Sequence, residues 1–164
     1  MRRKIAILVG LGLAVAAIAA TIDGSEGRGR AVNEAGAVGM FDYRVAKFVD
    51  GTNVRIGGGL HFGIRGTEEH PGVAIGMVNC ARLAVNGNVC EFSGPGARFV
   101  YVDGVRHEIR GIVFGRVEDN RNREHPNAPF DRFAVRFDAE GTEHDFEFHG
   151  AVRDGGLAVF HRVQ

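Results

Sequence analysis

The sequence contains no tryptophan, and it has only two serines, two tyrosines and two cysteines. Lack of tryptophan weakens a sugar-binding interpretation, which Tyr43 and Tyr101 alone keep open. Neither Ser25 nor Ser93 stands in the G-x-S-x-G turn of a nucleophile elbow. The sequence has no phosphate loop, no H-E-x-x-H zinc motif and no dinucleotide fingerprint. These absences predict a protein that is not an enzyme and holds no cofactor.

The N-terminus has the pattern of an export signal. Arg2, Arg3 and Lys4 precede the apolar and glycine run 5–20, and Ala17-Ile18-Ala19 gives a small-x-small cleavage pattern. The run of 16 residues is short for a membrane span, which needs about 20. We therefore predict a cleaved signal peptide, residues 1–20, and a secreted or periplasmic bacterial protein. An uncleaved N-terminal anchor is the alternative.

Charge argues against a nucleic-acid partner. Removing residues 1–20 leaves 17 Lys and Arg against 20 Asp and Glu, a net charge of −3, whereas nucleic-acid binding normally needs a basic face. After signal cleavage no membrane contact is predicted either.

We expect residues 21–37, which are rich in glycine and mixed in charge, to form a flexible segment before a single domain, residues 38–164.

Period-2 alternation of apolar and polar residues dominates residues 38–164, and no segment shows a long helical face. Asx-Gly pairs separate the alternating runs at hairpin spacing. We predict an all-β fold, a single antiparallel meander that forms an up-and-down barrel, with a two-sheet β-sandwich as the alternative. The eight predicted strands are 39–48, 55–65, 73–85, 88–102, 105–118, 131–139, 142–152 and 157–163.

Cys80 and Cys90 flank the Asn86-Gly87 turn signal, and they suit a disulfide, a metal pair or two small core residues. A two-residue turn at Asn86-Gly87 would pair Leu83 with Cys90 and place Cys80 opposite Ser93, on the other face. A disulfide needs Cα atoms within about 7 Å of each other. The register therefore favours two buried thiols, although the secreted context favours a disulfide.

The loop 118–131 is rich in oxygen ligands, and its weak metal candidates are Asp119, Asn120 and Asp131. Calcium prefers six to eight oxygen ligands, but Arg121 occupies the second ligand position of an EF-hand spacing. A solvated turn is the favoured interpretation. The seven histidines show no zinc spacing, and Asp145 and Glu147 beside His149 are expected to be surface polar residues.

One family resemblance covers residues 38–164. V-x-C-x-x-L-x-V-x-G-N-x-C-x-F-x-G, from Val78 to Gly94, resembles the central signature of the post-COAP type of uncharacterised secreted bacterial β-domains. The segments G-M-F-D-Y-R-V from Gly39, G-G-L-H-F from Gly58 and D-R-F-A-V from Asp131 are similar to other strands of that family, in the same order. Cys90 departs from the alanine common there. The resemblance implies secretion and a β fold, but no activity.

Three functions remain open from the sequence. The first is a secreted, non-enzymatic β-module with a structural or protein-interaction role. The second is a barrel that carries a small apolar ligand, and the third and weakest is a hydrolase. The interior distinguishes the first two, since complete aromatic packing favours the interaction module and a large apolar cavity favours the carrier. The aromatic residues expected to fill it are Phe41, Tyr43, Phe62, Phe92, Phe133, Phe137, Phe146 and Phe148.

Overall fold

The fold is all-β and antiparallel, as the alternation predicted. The computed structural model describes residues 19–67, 71–102, 105–121, 127–139 and 141–164, and in these ranges one 3-10 turn, Thr142–His144, accompanies nine strands. The strands are β1 (Thr21–Val32), β2 (Val38–Asp50), β3 (Asn53–Ile64), β4 (Val73–Met77), β5 (Arg82–Asn86), β6 (Val89–Val102), β7 (Val105–Glu118), β8 (Arg132–Ala139) and β9 (Phe146–Val163). Within these ranges, no helix is long and apolar enough to cross a membrane.

The ladders of hydrogen bonds close into a ring. Their order is β4-β3-β2-β1-β9-β8-β7-β6, and β4 completes the circuit by pairing with β6. β5 pairs with the first part of β6 and β4 with a later part, so these two short strands follow one another along the same neighbour. The ring is consistent with the predicted barrel and with the alternative sandwich.

The prediction of a flexible segment over residues 21–37 is wrong, because Thr21–Val32 forms β1, which pairs with β2 on one side and β9 on the other. Glycine replaces large apolar residues along this strand, which hides the usual alternation. The glycines let neighbouring groups lie close: a Cβ atom on Gly27 would come within 2.9 Å of the Tyr43 ring. β1 is therefore a central strand whose inward-facing positions are occupied by small residues.

Two predicted strand boundaries also need correction. Most of the predicted segments 142–152 and 157–163 lies in one strand, β9, which begins at Phe146. Asp154-Gly155-Gly156 continues the ladder opposite Arg30, Gly29 and Arg28 instead of forming a turn, and the bulge lies at Arg153. Gly155 has a φ of 83°, which few residues other than glycine adopt. The predicted strand 73–85 is divided into β4 and β5 by the irregular residues 78–81.

The interior is packed with aromatic rings around Phe133. The ring centroid of Phe133 lies 4.4 Å from that of Phe41, 5.9 Å from Phe62 and 6.0 Å from Tyr43. Phe92 stacks on Tyr43, with ring centroids 5.5 Å apart. Seven of the eight aromatic residues predicted to fill the interior are buried, and the eighth, Phe146, is partly buried against them. The predicted aromatic core is confirmed.

Candidate functional site

Strand register brings polar and small side chains together on the outer face of β5–β9. Alternate residues of each strand point away from the aromatic core, so residues aligned across the five strands form rows on this face. One row consists of Arg82, Ser93, Phe114, Arg136 and Glu147, and the next of Ala84, Glu91, Arg116, Ala134 and His149. Both rows cross the sheet nearly at right angles to the strands.

These rows line a groove of about 430 Å³, here named the outer groove. Small residues, Ala84, Ser93 and Ala134, leave its floor open beside the ring of Phe114. A second cavity of about 690 Å³ continues from it, sharing Ala134 and reaching the turn 33–35 between β1 and β2. Together the two cavities form a long depression across the outer face.

The walls of the outer groove are formed by paired charges. Arg116 binds the carboxylates of Glu91 and Glu118, the latter at 2.9 Å, and this contact holds the pKa of Glu118 below its ordinary value. On β9, His149 lies 2.8 Å from Glu147. Such exposed pairs add little stability. The walls of the outer groove therefore consist of paired, largely exposed charges.

The two arginines of the first row differ in their pairing. The guanidinium of Arg136 lies 4.4 Å from the centroid of the Phe114 ring and 2.9 Å from Asp138. Arg82, at the β5 end of the groove, has no carboxylate partner among the described residues. Within the described part of the chain, the β5 end of the outer groove thus carries a positive charge without a carboxylate partner, beside an apolar floor.

Both cysteines are buried, and in the structure their thiols are free. The predicted register is wrong: the turn is at Gly87-Asn88, so Val85 faces Cys90 and Leu83 faces Phe92. The predicted opposite facing of the cysteines is also wrong, because the irregular residues 78–81 break the alternation and turn Cys80 inward, where its thiol contacts the carbonyl oxygen of Arg82 at 3.1 Å. Burial raises the pKa of Cys90 to about 12, so its thiol stays protonated at neutral pH.

The three weak metal candidates lie close together, but they hold the loop rather than surround a cation. Asp131, itself buried, accepts backbone N–H groups of Asn120 and Arg121 at 3.0 and 2.8 Å through one oxygen. Asp119 accepts the N–H of Val159 at 3.3 Å through its carboxylate. Burial and the charge of Asp131 raise the pKa of Asp119. This arrangement caps the β7–β8 connection; residues 122–126 of the predicted site lie outside the described residues.

The remaining predicted polar residues are scattered. Asp145 accepts the backbone N–H of Ala139 at 2.9 Å, whereas Glu147 and His149 lie on the outer groove. In the described part of the chain, no three His, Cys, Asp or Glu side chains are grouped in a way that suits a metal ion. Sequence reasoning missed the outer groove because its residues come from five strands and only the register brings them together.

Comparison with known proteins gave no match: no family model, curated protein or solved structure corresponds to this chain. The resemblance to the post-COAP type of domains therefore stays a prediction.

Proposed function

We propose that the protein is an exported, non-enzymatic binding module that holds an extended segment of another protein in the outer groove. The observation that carries the proposal is the shape of this groove, a long depression with an apolar floor and walls of paired charges. Sites of this kind suit an extended peptide, since small floor residues admit its side chains and wall charges fix its orientation.

Dimensions of the groove indicate the length of the bound segment. Crossing from β5 to β9 takes four strand spacings, about 19 Å in total at the usual spacing of about 4.8 Å. An extended peptide rises about 3.3 Å per residue, so about six residues would fill this length. The guanidinium of Arg82, which pairs with no carboxylate of the described ranges, favours an acidic residue at the β5 end of that segment.

The packed interior supports a surface function over the carrier alternative. Stacked rings occupy the centre of the ring of strands, with Phe133 in contact with rings on two strands. A small-molecule carrier would instead need an apolar cavity of several hundred cubic ångströms in that place, about 300 Å³ at least. The hydrolase alternative gains no support from the buried hydroxyls, because burial raises the pKa of Tyr43 and keeps its phenol protonated.

Peptide selection tests the proposal. Random peptides displayed on phage are selected against the wild-type protein, and the binding of enriched peptides is measured by calorimetry. Ala134→Arg places a long side chain on the half-buried floor shared by both cavities, and we expect it to abolish binding. Ala97→Arg is the matched control, because Ala97 is also half-buried and outward-facing in a strand but lies outside the outer groove.

Enriched peptides whose binding is lost in Ala134→Arg and kept in Ala97→Arg would support the groove as the binding site. Selection that enriches no peptide, or peptides that bind both variants equally, would contradict it. Unchanged circular dichroism and urea midpoints of both variants are required before the comparison is made.

A further inference from the structure

β3 has a neighbouring strand on both sides only in its second half. β2 pairs with the whole strand, whereas β4 pairs with Leu60–Ile64 alone. Among the described strands, none pairs with the other side of residues 53–57, here named the β3 edge. Gly58 is already occupied on that side, because its carbonyl oxygen accepts the N–H of Cys80 at 2.7 Å. The β3 edge is therefore a short stretch of strand with one open side.

The register of the β2–β3 hairpin determines which backbone groups point out of the β3 edge. The residues that flank the two-residue turn 51–52 form a hydrogen-bonded pair, and such pairs alternate along an antiparallel ladder. Arg55 therefore bonds to β2, while the N–H and C=O groups of Val54 and Ile56 point away from β2. The carbonyl of Gly58 follows the same alternation. Four backbone groups are thus placed to receive a further strand.

Side chains along the β3 edge indicate the chemistry of that strand. Val54, which is 55% exposed, and the partly buried Ile56 lie on the core-facing side, so apolar side chains suit that side of an added strand. Arg55 points outward, and no carboxylate of the described ranges lies within ion-pair distance of it. An acidic residue directly opposite Arg55 would supply that partner.

Gly57 leaves room for a large side chain on the outward face. A Cβ atom on Gly57 would meet nothing within 4 Å, and the residue lines a cavity of about 690 Å³ together with Ala46 and Phe48. An aromatic side chain opposite an edge glycine covers its bare backbone. The residue opposite Gly57 is therefore expected to be large and apolar.

We infer that the β3 edge binds an extended segment of a partner protein as an additional antiparallel strand, at a site separate from the outer groove. The segment has an acidic residue opposite Arg55 and, two positions away, a large apolar residue opposite Gly57. Charge argues against a second copy of this chain as the partner. The register that engages all four backbone groups and leaves Gly58 clear would set two Arg55 side chains directly opposite each other, which is destabilising.

Hydrogen exchange of the full chain tests whether the edge is open. Without a partner, the amides of Val54 and Ile56 should exchange about tenfold faster than those of Arg55 and Gly57, because only the latter two bond to β2. Nuclear magnetic resonance gives the four rates separately. Equal protection of all four amides would overturn the inference, since it would show that this side of β3 is already paired.

Peptide selection tests the partner. Random peptides displayed on phage are selected against Ala134→Arg, in which the outer groove is blocked, and enriched peptides are measured by fluorescence anisotropy. We expect an acidic and a large apolar residue two positions apart. Binding should be lost in Val54→Pro, which removes an N–H that points out of the edge, and kept in Val54→Thr, which retains it. Circular dichroism must first show that each variant is folded.

Charge exchange provides a second variant, which leaves the backbone intact. Arg55→Glu should weaken binding several-fold, and lysine in place of the acidic residue of the peptide should restore it. Arg65→Glu is the matched control, an exposed arginine outside the β3 edge, and it should do neither. Selection that enriches no peptide, binding unaffected by Val54→Pro, or no restoration by lysine would overturn the inference. Because the outer groove is blocked throughout the selection, none of these outcomes bears on peptide binding there.

Discussion

The phenol oxygen of Tyr43 lies 2.8 Å from the hydroxyl oxygen of Ser25, inside the ring of strands. Ser25 donates its own proton to the carbonyl oxygen of Ala158 at 2.7 Å, so Tyr43 is the donor to Ser25. This chain of two hydrogen bonds connects β2, β1 and β9. These hydrogen bonds let the polar phenol group of Tyr43 lie in a core of aromatic and aliphatic side chains.

Substitutions of Tyr43 and of Ser25 should change the stability by different amounts. Tyr43→Phe removes a donor and leaves Ser25 bonded to Ala158, so we expect a loss of about 1 kcal/mol in the free energy of unfolding. Ser25→Ala leaves the phenol buried without an acceptor, and we expect a larger loss, about 2–3 kcal/mol. Urea denaturation measures both. A greater loss for Tyr43→Phe than for Ser25→Ala would contradict the assigned direction of the bonds.

Stability should fall at alkaline pH. Burial raises the pKa of Cys90 from 9.0 to about 12, and it also raises those of Cys80 and Tyr43. Above pH 9 the unfolded chain releases the Cys90 proton while the folded chain keeps it, so the free energy of unfolding decreases as pH rises. Each such group contributes a slope of about 1.4 kcal/mol per pH unit.

Cys90→Ala should flatten that slope by about 1.4 kcal/mol per pH unit, with the contributions of Cys80 and Tyr43 remaining. Urea denaturation from neutral pH to above pH 9 gives the slope, and the neutral range serves as the control because all three groups are protonated there in both states. An unchanged alkaline slope would show that Cys90 is not a buried thiol. Non-reducing intact mass completes the test, since a mass two hydrogens lower would identify a disulfide.

Asp131 should stabilise the folded protein, and it should not bind calcium. Asp131→Ala removes the acceptor of two backbone N–H groups at the β7–β8 connection, and we expect a loss of about 2 kcal/mol in the free energy of unfolding. Calcium chloride should leave the urea midpoint of the wild type where it is in EDTA. A calcium-dependent rise in the midpoint, absent from Asp131→Ala, would show a cation site instead, because ligand binding to the folded state stabilises it.

The sequence predicts the parts of the fold that rest on large apolar residues at every second position. Phe133, Val135 and Phe137 alternate with alanine and charged residues, and all three are buried on β8 as expected. The same rule fails for β1, where glycine and serine occupy inward positions and the aromatic bulk comes from neighbouring strands. Small residues carry no local signal of burial, so only the completed sheet shows that Ser25 is buried.

The outer groove could not be predicted for a different reason. Alternation indicates that Arg116 and Arg136 point away from the core, but it does not say which residues stand beside them on other strands. That depends on register, and the register of β5 with β6 differs from the predicted one because the turn is at Gly87-Asn88. A glycine with a φ of 58° opens this turn, a choice that the dipeptide Asn-Gly alone does not specify.

Gly115 tests the packing between the core and the outer groove. A Cβ atom built on Gly115 would overlap the ring of Phe92, which is buried and stacks on Tyr43 with centroids 5.5 Å apart. The ring has no room to retreat, so we expect Gly115→Ala to lower the free energy of unfolding by about 1–3 kcal/mol. Gly76→Ala is the matched control, because its Cβ atom would meet the side chain of His61 at 3.8 Å, an ordinary contact.

Gly76→Ala should leave stability unchanged or raise it by up to about 1 kcal/mol, since alanine restricts the unfolded chain. Both variants are compared by urea denaturation at neutral pH, and near-ultraviolet circular dichroism reports on the environment of Tyr43. If Gly115→Ala is as stable as Gly76→Ala, Phe92 does not lie over Gly115, and the floor of the outer groove is packed differently from the arrangement described. A loss confined to Gly115→Ala, with a changed aromatic signal, would place the Phe92 ring between Tyr43 and the groove.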